Sequence, residues 1–254
     1  ENRGDHLARL REQARARSSA GLPRQPEAPL ALRAESRRCL ACAQGAYLES
    51  PAACAGCLTC VRVCPFGVAT VDRTAAMPAE QCQTCGICAA ECPAAAVALG
   101  RFATGRMRET IENILQSTHA AKISRPLVVA YCCLHETTGR RYLGVQSTEE
   151  IETTGILRIM VPCVGRLADI DLVSPFELGA DRVAVIACKE DACIYTGAEE
   201  ILQRRIAQSR KFLEEMGVGK SCLQFHRTRG SAEASWPDIW EEIKKEALDR
   251  AAGE

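Results

Sequence analysis

One cysteine register occurs twice in succession between Cys54 and Pro93, and it constrains the fold more than any other feature. The first copy is Cys54-x2-Cys57-x2-Cys60-x3-Cys64-Pro65, and the second is Cys82-x2-Cys85-x2-Cys88-x3-Cys92-Pro93. Three thiolates on a tight loop cap three irons of one cubane, and the fourth, just past them, cannot close on the same one. The spacing therefore predicts two [4Fe-4S] clusters with crossed ligation. Cys54, Cys57, Cys60 and Cys92 would hold one, and Cys82, Cys85, Cys88 and Cys64 the other. Pro65 and Pro93 fix the turn leaving each loop. Gly56 and Gly86, with Ala89 and Ala90, keep the backbone small where it passes sulfide. A pair of four-cysteine zinc sites, the competing reading, uses C-x2-C pairs with longer spacers and needs no crossed fourth cysteine.

The run resembles that of bacterial two-cluster ferredoxins, and residues 39–105 are expected to form such an α+β 2[4Fe-4S] module. Gly67–Val71 and Ala95–Leu99 follow the two Cys-Pro pairs at equivalent positions, so the duplication extends to short turns and strands around the clusters. Ahead of it, residues 1–38 read as an arm: an arginine-rich stretch from His6 to Arg17, then three prolines between Gly21 and Pro29. Such a segment is either a solvated tail or an arm that wraps a partner protein. Glu35-Ser36-Arg37-Arg38-Cys39-Leu40-Ala41-Cys42 resembles an element beside iron–sulfur motifs in flavin-dependent pyridine-nucleotide oxidoreductases. Cys39 and Cys42 alone are two ligands short of a closed site. They join an extra cluster with thiolates from elsewhere, or pack structurally against the module.

Sixteen cysteines in 254 residues would suggest disulfides in a secreted chain. Here the register needs reduced thiolates, which points to a reducing compartment and a cytoplasmic protein. Residues 1–20 lack the apolar stretch of a signal peptide, and the longest apolar run, Leu127–Leu134, is far short of a membrane span. The formal charge is zero, and bound clusters would add negative charge, so nucleic-acid binding has no support and no nucleic-acid partner is expected.

Beyond Gly105, Met107, Ile111, Ile114 and Leu115 recur at helical spacing, making residues 106–125 a helical connector. From residue 126 to 254 the pattern alternates between strands and helices. Strands are expected at Leu127–Cys132, Leu157–Val161, Arg182–Ala187 and Leu223–His226. Helices are expected at Asp169–Leu178, at Ala198–Met216 with Ile201, Leu202, Ile206, Phe212 and Leu213 on its apolar face, and at Ile239–Leu248. This order calls for an α/β domain with a mainly parallel sheet.

Its cysteines are not scattered. Cys132 and Cys133 end the first strand, Cys163 follows the second, Cys188 follows the third, and Cys193 lies five residues on. In an open parallel sheet, ligands gather outside the carboxyl ends of the strands. Thiols from three strands at one rim suit a tetrathiolate [2Fe-2S] site; zinc and buried structural cysteines are the alternatives. The helix after Cys193 would turn its positive end toward an anionic cluster. Cys133 is the preferred ligand of the double cysteine, with Cys132 buried or an alternate. His135 beside them is a bystander or a ligand of the Rieske kind. Arg166 and Lys189 flank the cysteines, where they tune a cluster's potential or simply face solvent. Cys222 reads as a buried core thiol.

Residues 126–236 resemble the delta subunit of methyl-viologen-reducing hydrogenase, a domain recurrent in heterodisulfide reductase-type flavoprotein complexes. The resemblance rests on Tyr131-Cys132-Cys133, Val161-Pro162-Cys163-Val164-Gly165-Arg166, Phe176-Glu177-Leu178-Gly179-Ala180-Asp181, Ala187-Cys188-x4-Cys193-Ile194-Tyr195-x-Gly197 and Arg204-Arg205. It implies one [2Fe-2S] cluster that relays electrons between a flavoprotein and a hydrogenase, formate dehydrogenase or other reductase. Flavoproteins that bifurcate electrons are among the implied partners. The chain departs from the family where a third cysteine often follows the pair, since Leu134-His135-Glu136 stands there. The implied ligands narrow to Cys132 or Cys133 with Cys163, Cys188 and Cys193.

No Gly-rich dinucleotide fingerprint, P-loop or acid–base pair is present, so substrate chemistry would lie with partners. The expectation is an electron-transfer subunit holding two [4Fe-4S] clusters and one [2Fe-2S] cluster. Two rivals stand beside it: a thiol/disulfide enzyme using Cys188 and Cys193, and a redox-inert zinc scaffold. Cys188-x4-Cys193 lacks the C-x2-C spacing of thioredoxin-like dithiols, which counts against the first.

Overall fold

The computed structural model describes residues 45–120, 127–133, 153–189 and 197–228, together with 151, 193, 195, 238–243 and 245. The arm, Cys39, Cys42 and His135 lie outside the described residues. The chain divides into two compact units, Glu1–Ala103 with Ile194–Ala198, and Thr104–Cys193 with Glu199–Glu254.

The first unit repeats one small motif. Strand β1 (Tyr47–Leu48), helix α1 (Thr59–Val63) and strand β2 (Thr70–Val71) are followed by β3 (Ala75–Ala76), α2 (Ile87–Ala90) and β4 (Val97–Ala98). The two ribbons exchange halves: β1 pairs antiparallel with β4, and β2 with β3. Backbone strain repeats as well. Gly56 and Thr84, Leu58 and Gly86, and Gly67 and Ala95 all have positive φ at matching places in the two copies. For Leu58, Thr84 and Ala95 this left-handed conformation costs about 1 kcal/mol or more each. Both copies therefore hold the same loop shape even where the residue is poorly suited to it.

The second unit begins with α3 (Thr104–Ala120), whose Met107, Ile111 and Leu115 are buried. Its core is a four-stranded sheet of β5 (Val128–Cys133), β6 (Ile156–Val161), β7 (Arg182–Ala187) and β8 (Leu223–Arg227). The order is β6-β5-β7-β8, and every pair is parallel. β5 and β7 are buried along their whole length, as central strands covered on both faces must be. On one face Val128, Ala130, Cys132, Ala184 and Ile186 pack against Ile239 and Ile243. Helix α4 (Asp169–Glu177) belongs to the opposite face, where the Tyr131 hydroxyl donates to Asp171 O at 2.7 Å.

Helix α5 (Ala198–Glu215) buries Leu202, Ile206, Ser209 and Leu213. Phe212, expected on that apolar face, is instead 47% exposed. The buried stripe advances by four, three and four residues, and Phe212 falls one position to its side. Gly217 (φ 79°) ends the helix, with Val218 N and Gly219 N both donating to Leu213 O, a left-handed cap that returns the chain toward β8.

Candidate metal centres

The duplicated loops present their sulfurs to backbone donors in matched pairs. Cys54 Sγ accepts from Ala75 N at 3.4 Å and Cys82 Sγ from Ala46 N at 3.3 Å, each donor lying in or beside the strand that starts the other copy. Cys64 Sγ accepts from Val68 N at 3.4 Å, and Cys92 Sγ from Ala96 N at 3.3 Å. Amides aimed at sulfur stabilise thiolate charge and tune the potential of a bound cluster. Gly45 completes the cradle. A Cβ there would stand 2.7 Å from Cys82 Cβ and 3.0 Å from its sulfur, so only glycine lets the chain pass.

A small cavity opens between Cys64, Cys82, Cys85 and Cys88, with Phe66 and Met77 also on its wall. Cys64 thus lies with the three cysteines of the second copy. Burial pushes the Cys85 thiol up to about 12 and raises Cys88 further, while neighbouring Cys64 and Cys82 add to both effects. In the first copy the Thr59 hydroxyl beside the exposed Cys57 lowers its thiol instead. Thiols held so high are protonated at neutral pH until a metal replaces the proton.

Over the second loop lies Tyr195, from the Ile194–Ala198 segment of the same unit. Its hydroxyl donates to Gln83 O at 2.9 Å, and its ring meets Phe66 edge-on, 5.7 Å between centroids.

The second group of cysteines sits at the carboxyl ends of the parallel strands. After β5 the chain crosses to β6 on one side, whereas after β7 it crosses to β8 on the other. The ends of β5 and β7 therefore flank the topological switch point, where such sheets bind ligands. Cys133 and Cys188 stand at those two ends, and the Cys188 thiol donates to Cys133 Sγ at 3.1 Å. Hydrogen bonds to Cys133 and then to Cys193, followed by burial, push the Cys188 thiol far above its ordinary range. Cys163 ends the extended chain after β6, and its Sγ accepts from Gly165 N at 3.3 Å. Pro162 O, one residue earlier, lies 3.8 Å from Cys133 Sγ. The rim is buried at Cys133, Cys163 and Cys188, with Cys193 half-buried.

The double cysteine is divided by strand alternation. Cys132 points into the apolar layer with Ile186, Ile239 and Ile243, and its burial raises the thiol strongly. Cys132 thus packs in the core, while its neighbour Cys133 occupies the face that meets Cys188. Cys222 is also buried, donating to Val218 O. Lys189 is exposed, whereas Arg166 is buried with its guanidinium on Asp171. The first turn of α5 carries Glu199 and Glu200, and Glu199 pairs with Arg227.

The donor sets are all thiolate, which suits iron–sulfur clusters; a zinc ion would draw four such sulfurs to about 2.3 Å from one point.

Comparison with known proteins matches the two units separately. Residues 128–248 fit the methyl-viologen-reducing hydrogenase delta subunit, and residues 46–93 a 4Fe-4S dicluster domain. The vhu iron-sulfur subunit of the F420-non-reducing hydrogenase of Methanopyrus kandleri is 30% identical over 126 residues, covering 49% of this chain and 91% of that protein. The chain belongs to the methyl-viologen-reducing hydrogenase delta subunit family. The corresponding vhu protein of Methanococcus voltae is 24% identical over 129 residues, 51% of this chain and 92% of the relative. One component of the ferredoxin:CoB-CoM heterodisulfide reductase of Methanosarcina mazei is 30% identical over 193 residues, 71% of this chain but 22% of that longer protein. The delta-subunit match spans all the rim cysteines, and the dicluster match spans all eight cysteines of the duplicated register. The chain is an iron–sulfur protein with a [4Fe-4S] dicluster domain ahead of its parallel sheet.

Sequence reasoning missed two residues of these sites. Gly45 carries no local signal, because its constraint comes from Cys82, far along the chain. Tyr195 appears in a matching stretch, but nothing in its neighbours tells what it touches.

Proposed function

We propose that the chain is the electron wire of a larger oxidoreductase complex, with three stations built from its own cysteines. Cys54, Cys57, Cys60 and Cys92 hold one [4Fe-4S] cluster, and Cys82, Cys85, Cys88 and Cys64 the other. Cys133, Cys163, Cys188 and Cys193 hold a [2Fe-2S] cluster at the strand ends. When bound, these groups supply one-electron transfer without substrate chemistry. The protein's own contribution is to fix the sulfurs, direct amides at them and exclude water around the second loop and the rim. The observation that carries this reading is the meeting of Cys133, Cys188 and Cys193 at the switch point, with Cys163 at the end of the adjoining strand.

The relatives point to the partners. The F420-non-reducing hydrogenase and heterodisulfide reductase proteins that this chain resembles are parts of multi-subunit redox enzymes. The partners inferred for this chain are a flavoprotein of the heterodisulfide reductase or pyridine-nucleotide oxidoreductase type on one side and a hydrogenase, formate dehydrogenase or other reductase on the other. No helix among the described residues is long and apolar enough to cross a membrane, and the need for reduced thiols favours a cytoplasmic complex.

Iron and acid-labile sulfide in anaerobically purified chain test the reading. Two cubanes and a two-iron cluster sum to about ten irons, with a reducible [2Fe-2S] electron paramagnetic resonance signal that disappears in a Cys188→Ser variant. About eight irons and a titratable Cys188/Cys193 dithiol would favour the thiol/disulfide enzyme. Stoichiometric zinc in a colourless protein would establish the scaffold.

A further inference from the structure

Two buried arginines bracket the turn that carries Cys163. That turn, Val164–Arg166, is a single 3-10 turn, too short and weakly bonded to hold its shape alone. It is buried throughout, so its inward carbonyls need donors. Arg205, reaching from α5 and only 6% exposed, supplies them: its Nη1 donates to Gly165 O at 3.0 Å and to Leu167 O. The turn is gripped at two carbonyls, one inside it and one just after it.

Arg166 anchors the same turn in a different direction. Its guanidinium, 1% exposed, bonds Asp171 Oδ2 at 2.9 Å and Thr104 Oγ1 at 3.1 Å, and rests on Met107 Sδ. Asp171 Oδ2 in turn accepts from Ala168 N at 2.8 Å, just beyond the turn. Arg166 is thus committed to α3 and α4, whereas Arg205 bonds the backbone that sets Cys163 Sγ. The Gly165 amide that donates to this sulfur and the Gly165 carbonyl held by Arg205 belong to one residue.

We propose that Arg205 is the positioning residue of the rim centre. It fixes the orientation of the Cys163 sulfur and its amide donor, and it brings a guanidinium charge into the low-dielectric layer beneath them. This rests on the reading that Cys133, Cys163, Cys188 and Cys193 hold a [2Fe-2S] cluster. Arginine suits the task because one planar head serves two acceptors while keeping its charge when buried. A cation there stabilises the reduced, more negative state, and a fixed sulfur and amide set the symmetry of the iron site.

The test uses the full chain, purified anaerobically, in wild-type, Arg205→Met, Arg205→Gln and Arg205→Lys forms. Each is followed by electron paramagnetic resonance during a redox titration, with circular dichroism reporting that the parallel-sheet unit is folded and the [4Fe-4S] signals serving as an internal reference. In R205M the [2Fe-2S] signal should shift its g values and titrate at lower potential, while the [4Fe-4S] signals stay in place. R205Q, too short to reach both carbonyls, should behave as R205M does and decides the matter if R205M is insoluble. R205K should recover much of the wild-type spectrum. Wild-type g values and potential in folded R205M or R205Q overturn the proposal, even when the unfolding temperature falls, since a merely stabilising arginine would do that alone. A wild-type chain with about eight irons and no [2Fe-2S] signal overturns the parent reading instead.

Discussion

The two copies of the cysteine register share their spacing but differ in the burial of the residues around the second cysteine. In the first, Cys57 and Leu58 are exposed, Leu58 by 43%. In the second, the equivalent Cys85 and Gly86 are buried, and Ile87 with them. The sulfur-directed amides cancel from the comparison, because each copy has one at its first and one at its fourth cysteine. What remains is cover: Phe66 lies over the second loop, and Tyr195 is tied to Gln83 above it. Identical spacing thus specifies one kind of centre twice, and the surroundings make the two unequal.

Ligand removal should break the comparison most visibly. Cys85→Ser, in a loop closed to water, should cost its cluster outright, a loss of about four irons. Cys57→Ser, in an open loop where the serine oxygen or another ligand is accommodated, should retain most of its iron with an altered spectrum. Equal losses in iron assays would mean that burial does not govern cluster retention.

The next effect is on potential. Reduction adds negative charge, which a buried site solvates less well. The [4Fe-4S] centre of the Cys82–Cys88 loop should therefore reduce at lower potential than that of the Cys54–Cys60 loop, and its potential should respond less to ionic strength. Assigning the two signals with C57S and C85S in a redox titration checks the order. The opposite order would sink the idea that cover sets the difference.

Tyr195 sharpens the same point on a smaller scale. Tyr195→Phe removes one hydrogen bond while keeping the ring, and should cost about 1 kcal/mol in an unfolding experiment with little change in potential. Tyr195→Ala uncovers the second loop and should move its potential toward that of the first.

The smallest effect concerns Leu58, whose left-handed backbone (φ 62°) matches that of Gly86 (φ 76°). Leu58→Gly relieves about 1–2 kcal/mol of strain against about 0.5–1 kcal/mol of backbone entropy, leaving a gain of at most about 1.5 kcal/mol. A destabilisation larger than that in thermal melts would show that the exposed leucine makes contacts of its own.

Much of the molecule was legible in its residues. The cubane loops are local objects, since spacing over about ten residues limits where a thiolate reaches. β5, β6 and β7 are marked by β-branched residues and β8 by Leu223 and Phe225, and each expected boundary falls within a residue of β5 to β8. Phe212 was misjudged because helical periodicity names a broad face, and the stripe that α5 buries is narrower than that face.

The sequence by itself determined how many sulfurs each loop offers and that Cys132 and Cys133 face opposite ways, because both follow from bond lengths and backbone periodicity. Only the tertiary structure decided which of the pair meets Cys188, because that depends on the layer into which Ile239 and Ile243 pack. It likewise decided that Gly45 yields to Cys82, that Tyr195 covers the second loop, and that Arg205 grips the Cys163 turn. These contacts join residues tens of positions apart, and no short-range pattern encodes which distant surface a side chain will reach.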